Sequence, residues 1–140
     1  MKKVRQVLIV DDDKVSRIIM EEAAKELFAD ATIICCSSAF EALGYIKEYC
    51  MPTLEHPHRY CPELILVDIT MPVLDGYEFL TELYHIEGLR HNYTSVLLVS
   101  SHSYDKEKAK AQLFPILGYV EKPLTVENLR YALKNILPIR

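Results

Sequence analysis

Leu64-Ile65-Leu66-Val67, closed at once by Asp68, is the stretch that decides the fold. Consecutive apolar residues leave no polar face for water, which is the pattern of a strand covered on both sides in a parallel sheet. Outward from it the same signature recurs at Val7-Leu8-Ile9-Val10, Thr32-Ile33-Ile34-Cys35 and Ser95-Val96-Leu97-Leu98-Val99, with Gly118-Tyr119-Val120 as a weaker fifth. Between these runs the apolar spacing changes to steps of three and four. Val15, Ile18, Ile19, Ala23 and Leu27 mark a first amphipathic helix, and Ala39, Ala42, Leu43 and Ile46 a second. A third begins near Tyr77, with Leu80, Leu83 and Tyr84 on one side, and a fourth covers residues 104–113 and stops before Pro115. The last carries Val126, Leu129, Leu133 and Ile136, with Thr125 as N-cap and Pro138 beyond its end.

Five strands alternating with five helices require crossover connections of one hand. They predict an α/β fold: a doubly wound, five-stranded parallel sheet of order 2-1-3-4-5, flavodoxin-like, with helices on both faces. Residues 1–140 read as a single domain without internal repeat, low-complexity tract or linker to an output domain. The segment from about 49 to 62 is longer than the two to six residues usual between such elements. It reads as a surface elaboration in preference to a partner-contact loop.

Half of the 140 residues are hydrophobic, enough for one compact core and too few residues for two ordinary domains. The net charge of −4 comes from acidic and basic residues mixed along the chain, without the basic stripe that nucleic acid attracts. The apolar runs fall far short of the ~20 residues that cross a bilayer, and the N-terminus runs straight into a strand. A cytoplasmic protein without direct contact to nucleic acid or membrane is expected. Cys35, Cys36, Cys50 and Cys61 form no CxxC pair and are expected to be reduced thiols. A zinc site from Cys50, His56, His58 and Cys61 is the sharper alternative, against which the spacing and the prolines at 52, 57 and 62 speak.

In an open parallel sheet the functional site lies beyond the carboxyl ends of the strands. Asp11-Asp12-Asp13 follows the first strand, Asp68 the third, Ser100-Ser101 the fourth and Lys122-Pro123 the fifth. The order 2-1-3-4-5 makes the first and third strands neighbours, which brings Asp11 and Asp12 near Asp68. Two carboxylates ~4 Å apart repel by about 4 kcal/mol at an effective dielectric of ~20, so a positive partner is required. Oxygen ligands without nearby sulfur or imidazole suit Mg²⁺, and Lys122 adds a permanent charge. The set fits phosphoryl transfer to Asp68, with Lys122 and Ser100 binding phosphoryl oxygens. Asp13 reads as the N-cap of the first helix, and Pro72 and Asp75-Gly76 as turn chemistry before the third.

The segments Val10-Asp11-Asp12-Asp13, Leu66-Val67-Asp68-Ile69-Thr70-Met71-Pro72-Val73-Leu74-Asp75-Gly76 and Gly118-Tyr119-Val120-Glu121-Lys122-Pro123 resemble bacterial two-component response-regulator receivers of the stand-alone, CheY-like kind. The resemblance spans essentially the whole chain. It implies a phosphorelay switch in which Asp68 is the phosphoacceptor and Asp11 and Asp12 the acidic pair. Asp12 would hold Mg²⁺ directly and Asp11 partly through water, with Asp68 and the backbone carbonyl of Thr70 completing the metal site. Lys122 would pair with the acyl phosphate and precede Pro123 at the family's cis-proline position. Ser100 and Tyr119 would be the switch residues. Ser101, where the family often has alanine, would narrow access, and His102 and Thr70 would tune dephosphorylation. The donor would be a sensor histidine kinase or histidine phosphotransferase and the recipient a downstream target protein, and a phosphorylation-dependent homodimer stays open. Such a domain is no turnover enzyme and catalyses only its own phosphorylation and dephosphorylation. A haloacid-dehalogenase-type hydrolase would need an Asp where Thr70 stands. A flavin module would not place three aspartates against its phosphate. A receiver that no longer takes phosphate is disfavoured because nothing catalytic is missing.

Overall fold

The computed structural model describes residues 3–51, 61–89, 94–101 and 109–134. Its order is β1 (Gln6–Val10), α1 (Lys14–Leu27), β2 (Thr32–Cys36), α2 (Ala39–Tyr49), β3 (Leu64–Asp68), α3 (Gly76–Tyr84) and β4 (Ser95–Ser100). There follow α4, helical at 109–111, then β5 (Gly118–Glu121) and α5 (Val126–Leu133). The strands pair in parallel in the order β2-β1-β3-β4-β5, as the sequence predicts.

Alternate residues of each central strand feed two cores. Leu8, Val10, Ile65, Val67, Val96 and Leu98 face α2 and α3, while Val7, Ile9, Leu64, Leu66, Leu97 and Val99 face α1 and α5. Burial on both faces is why these strands carry no polar alternation. The helices start where short polar side chains satisfy their free N–H groups: Asp13 caps α1, Ser38 caps α2, and Asp75 and Thr125 cap α3 and α5 in reciprocal boxes with Glu78 and Asn128. Each cap stabilises its helix by about 1 kcal/mol. At the opposite end of the sheet from these caps, the buried Glu63 accepts the N–H groups of Arg5 and Gln6 at 2.9 and 2.8 Å and so fastens the start of β1 to β3.

Two expectations are corrected. The inward stripe of α1 is Met20, Ala23, Ala24 and Leu27, whereas Val15, Ile18 and Ile19 are 65%, 46% and 39% exposed. The early apolar residues of α1 sit on its outer side because the inward stripe starts with polar residues, Ser16 and Arg17, that bond to Asp11. The cysteines are not all free thiols. Cys50, the C-cap of α2, and Cys61, just ahead of β3, form a disulfide with a Cα–Cα distance of 4.5 Å, while Cys35 and Cys36 are free. Packing of α2 on the sheet brings its last turn against the chain entering β3, an adjacency that residue spacing does not reveal. The disulfide also removes both thiolate donors from the zinc alternative, whose His56 and His58 lie outside the described residues, as do residues 52–60 of the long segment.

Candidate functional site

The carboxyl ends of β1, β3, β4 and β5 converge on one edge of the sheet. Val10 pairs with Val67, so the next residues, Asp11 and Asp68, fall side by side. Asp68 and Ser100 are themselves the last residues of β3 and β4, and both are buried. The N–H of Lys122 donates to the carbonyl of Ser100 at 2.7 Å, which sets the level at which the lysine leaves β5. The peptide between Lys122 and Pro123 is cis, as the resemblance implies.

Asp11, Asp12 and Asp68 each offer a carboxylate oxygen, and these atoms lie within 4.8 Å of one another. Asp11 is fully buried, Asp68 nearly so, and Asp12 is exposed. The ammonium of Lys122 bridges the two buried acids, 2.9 Å from Asp11 Oδ2 and 3.4 Å from Asp68 Oδ2. Asp11 Oδ1 accepts the N–H of Asp13 at 2.9 Å, its Oδ2 accepts the Ser16 hydroxyl, and its carbonyl accepts Arg17 Nη1 at 2.8 Å. Asp68 Oδ1 accepts the N–H of Thr70 at 3.3 Å.

Burial, and then the charge of Asp11, push the carboxyl of Asp68 up to about 6, against the pull of Lys122 and of the Thr70 N–H. Burial alone would lower the Lys122 ammonium, but the hydrogen bond to Asp11 and the charges of Asp68 and Asp11 raise it above its usual value. Three carboxylates and one ammonium leave the cluster electron-rich. An all-oxygen donor set of this size fits a hard divalent cation such as Mg²⁺.

The turn from β3 into α3 is tightly built. Gly76 donates its N–H to Ile69 at 2.7 Å, and a Cβ at Gly76 would stand 2.8 Å from the carbonyl oxygen of Asp68 and from Ile69 Cα. Val73 has φ of 70° and the Leu74 N–H bonds back to the Pro72 carbonyl, so a valine occupies the centre of a left-handed γ-turn in the segment that follows Asp68.

Thus Asp11, Asp12, Asp68 and Lys122 come together as the sequence suggests. Thr70 and Ser101 are exposed on the adjoining turns, and Ser100 is buried at the end of β4. Tyr119 is half-buried on β5 and lines a groove of ≈ 300 Å³ with Ala111, Phe114, Ile116 and Gly118. His102 lies outside the described residues. Ser16, Arg17 and the close approach at Gly76 escaped the sequence reading. A polar pair one helical turn ahead of Met20 is the signal that marked the first two.

Residues 7–134 match the family described as the response regulator receiver domain. The chain belongs to that family. The receiver is 27% identical over 133 residues to the chemotaxis protein CheY of Halobacterium salinarum, spanning 95% of this chain and 97% of that protein. It is 30% identical over 133 residues to protein PilG of Pseudomonas aeruginosa, spanning 95% and 87%. Among solved structures, a two-component response regulator from Cytophaga hutchinsonii superimposes with a TM-score of 0.79 at 25% identity, covering 96% and 97% of the two chains. Chemotaxis protein CheY4 of Vibrio cholerae, at 21% identity and a TM-score of 0.75, shares the fold. The receiver therefore acts in two-component signalling, where such domains interact with histidine kinases and downstream targets. Among the described residues, no helix is long and apolar enough to cross a membrane.

Proposed function

We propose that this receiver takes a phosphoryl group on Asp68 from the phosphohistidine of a sensor histidine kinase or histidine phosphotransferase, with Mg²⁺, and thereby switches a protein-interaction face. The observation that carries the proposal is the approach of three acidic oxygens within 4.8 Å of one another, with the Lys122 ammonium bridging Asp11 and Asp68.

A carboxylate oxygen of Asp68 attacks phosphorus as the bond from phosphorus to the donor's imidazole nitrogen breaks. The pairs of electrons balance: one O–P bond forms, one P–N bond is lost, and the imidazole leaves. The Thr70 N–H on Oδ1 holds the Asp68 carboxylate in place for the attack. Lys122, on a flexible stem, transfers from the two carboxylates to a phosphoryl oxygen. Mg²⁺, when bound, supplies the positive charge that offsets the carboxylates and the phosphoryl oxygens. Asp12 and Asp68 would hold it together with Asp11 and the Thr70 carbonyl. Thr70 and His102 tune hydrolysis of the acyl phosphate and so its lifetime, Ser101 narrows access to the acceptor, and Pro123 follows Lys122 through the cis peptide.

The Ser100 hydroxyl moves onto the new phosphoryl group and Tyr119 follows inward from the groove it lines, so that the face of α4, β5 and α5 changes shape. The readout is contact with a downstream target protein in the cytoplasm, with a second phosphorylated copy as a further partner of that face. The domain as a whole spans residues 1–140 and turns over no substrate beyond its own phosphorylation and dephosphorylation.

Incubation with acetyl phosphate or phosphoramidate and Mg²⁺, followed by intact-mass measurement, tests the assignment. One phosphoryl group should appear on the wild type and none on Asp68→Asn. Equal labelling of the two proteins would overturn it.

A further inference from the structure

The inward stripe of α1 is apolar at Met20, Ala23, Ala24 and Leu27, yet it begins with a serine one turn before Met20. The Ser16 hydroxyl lies 2.5 Å from Asp11 Oδ2 and 3.9 Å from the Met20 sulfur. A hydroxyl has one proton to give, and an ionised carboxylate is a far stronger acceptor than a thioether. The proton therefore goes to Asp11.

Asp11 is fully buried, so water cannot replace a donor that is removed. The partners of its two carboxylate oxygens divide cleanly. The Asp13 N–H occupies Oδ1, and Ser16 shares Oδ2 with the Lys122 ammonium. In the proposed reaction Lys122 leaves for a phosphoryl oxygen. Ser16 is then the side-chain donor that stays on Oδ2, fixed to a helix whose own start is anchored by the Ser16 N–H on Asp13 Oδ2.

We propose that Ser16 is a positioning residue of the acidic cluster: its hydroxyl holds the Asp11 carboxylate in one orientation and so sets the affinity of Asp11, Asp12 and Asp68 for a divalent cation. The proposal rests on the reading that this cluster takes Mg²⁺. An unfixed carboxylate must be ordered when the ion arrives, whereas one already held by a helix hydroxyl is not. Partners that orient metal ligands from behind typically change metal affinity 10–100-fold when removed.

The test is a Mg²⁺ titration of the wild type, Ser16→Ala, Ser16→Thr and Asp12→Asn, followed by calorimetry and by the rise of the thermal midpoint with Mg²⁺ concentration. Ser16→Ala keeps the backbone cap and favours helix, so the fold survives. Its Mg²⁺ affinity should fall about 10-fold, at the lower end of that range, and Ser16→Thr, which keeps the hydroxyl, should recover most of the loss. A Ser16→Ala protein that binds Mg²⁺ as tightly as the wild type, whether or not its metal-free midpoint drops, overturns the positioning role and leaves the proposed function standing. Absence of saturable binding in the wild type itself, matching Asp12→Asn, overturns both.

Discussion

Asp68→Asn should make the metal-free receiver more stable at neutral pH, although it removes the residue on which the chemistry is proposed to occur. Burial and the neighbouring Asp11 raise the Asp68 carboxyl from 3.8 to about 6, so the folded state holds this proton more tightly than the unfolded chain. The stabilisation tied to that proton is complete below about pH 4 and is lost as pH rises to about 6, beyond which the fold carries a charge it disfavours. Two pK units correspond to a ceiling of about 3 kcal/mol, and the site's opening to water at the sheet's rim reduces this to about 1–2 kcal/mol. The asparagine does not orphan Lys122, whose ammonium keeps Asp11 at 2.9 Å. Urea unfolding with a chelator present measures the difference. At pH 7.5 the variant should gain about 1–2 kcal/mol, a rise of about 3–6 °C in the thermal midpoint, and near pH 4 the two proteins should converge. Millimolar Mg²⁺ should narrow the gap at pH 7.5 by stabilising the wild type more than the variant. A variant less stable than the wild type at pH 7.5 in chelator, or a gain of equal size at both pH values, would refute the reasoning.

Gly76→Ala places a methyl group 2.8 Å from the backbone of Asp68 and Ile69, where no flexible side chain can yield. Urea unfolding should show a loss of about 2–4 kcal/mol, and phosphorylation should slow because the strand end carrying Asp68 is displaced. Val73→Asn acts in the opposite direction: the exposed valine at φ of 70° holds a left-handed conformation that a β-branched residue resists and asparagine tolerates. A gain of about 1 kcal/mol is expected by thermal unfolding, and an unchanged or lower midpoint would count against strain at this turn.

The fold was legible because the signal it rests on is redundant. Each of the strands β1, β3 and β4 has to be apolar on consecutive residues to be buried by helices on both faces, and that pattern survives any reading of individual propensities. Crossovers of one hand then restrict the topology to doubly wound sheets, of which the flavodoxin-like order 2-1-3-4-5 is one common form. Pairing of the cysteines was not legible for the reverse reason. The contact of Cys50 with Cys61 depends on where the end of α2 comes to rest on the sheet, which no local pattern encodes.

The misreading of α1 is the more instructive failure, because it and the missed Ser16 and Arg17 have one cause. Apolar periodicity assigns the inward face of a helix on the premise that the interior is uniformly apolar. That premise fails where a helix starts at the edge of a buried carboxylate. The first inward turn of α1 must donate hydrogen bonds to Asp11, so the polar, half-buried Ser16 and Arg17 face it while Val15, Ile18 and Ile19 are turned out. One turn further, past the reach of Asp11, the stripe is apolar again from Met20 onward. The position at which periodicity breaks therefore marks how far the polar site extends into the core, and in this receiver it extends one helical turn beyond the acidic triplet.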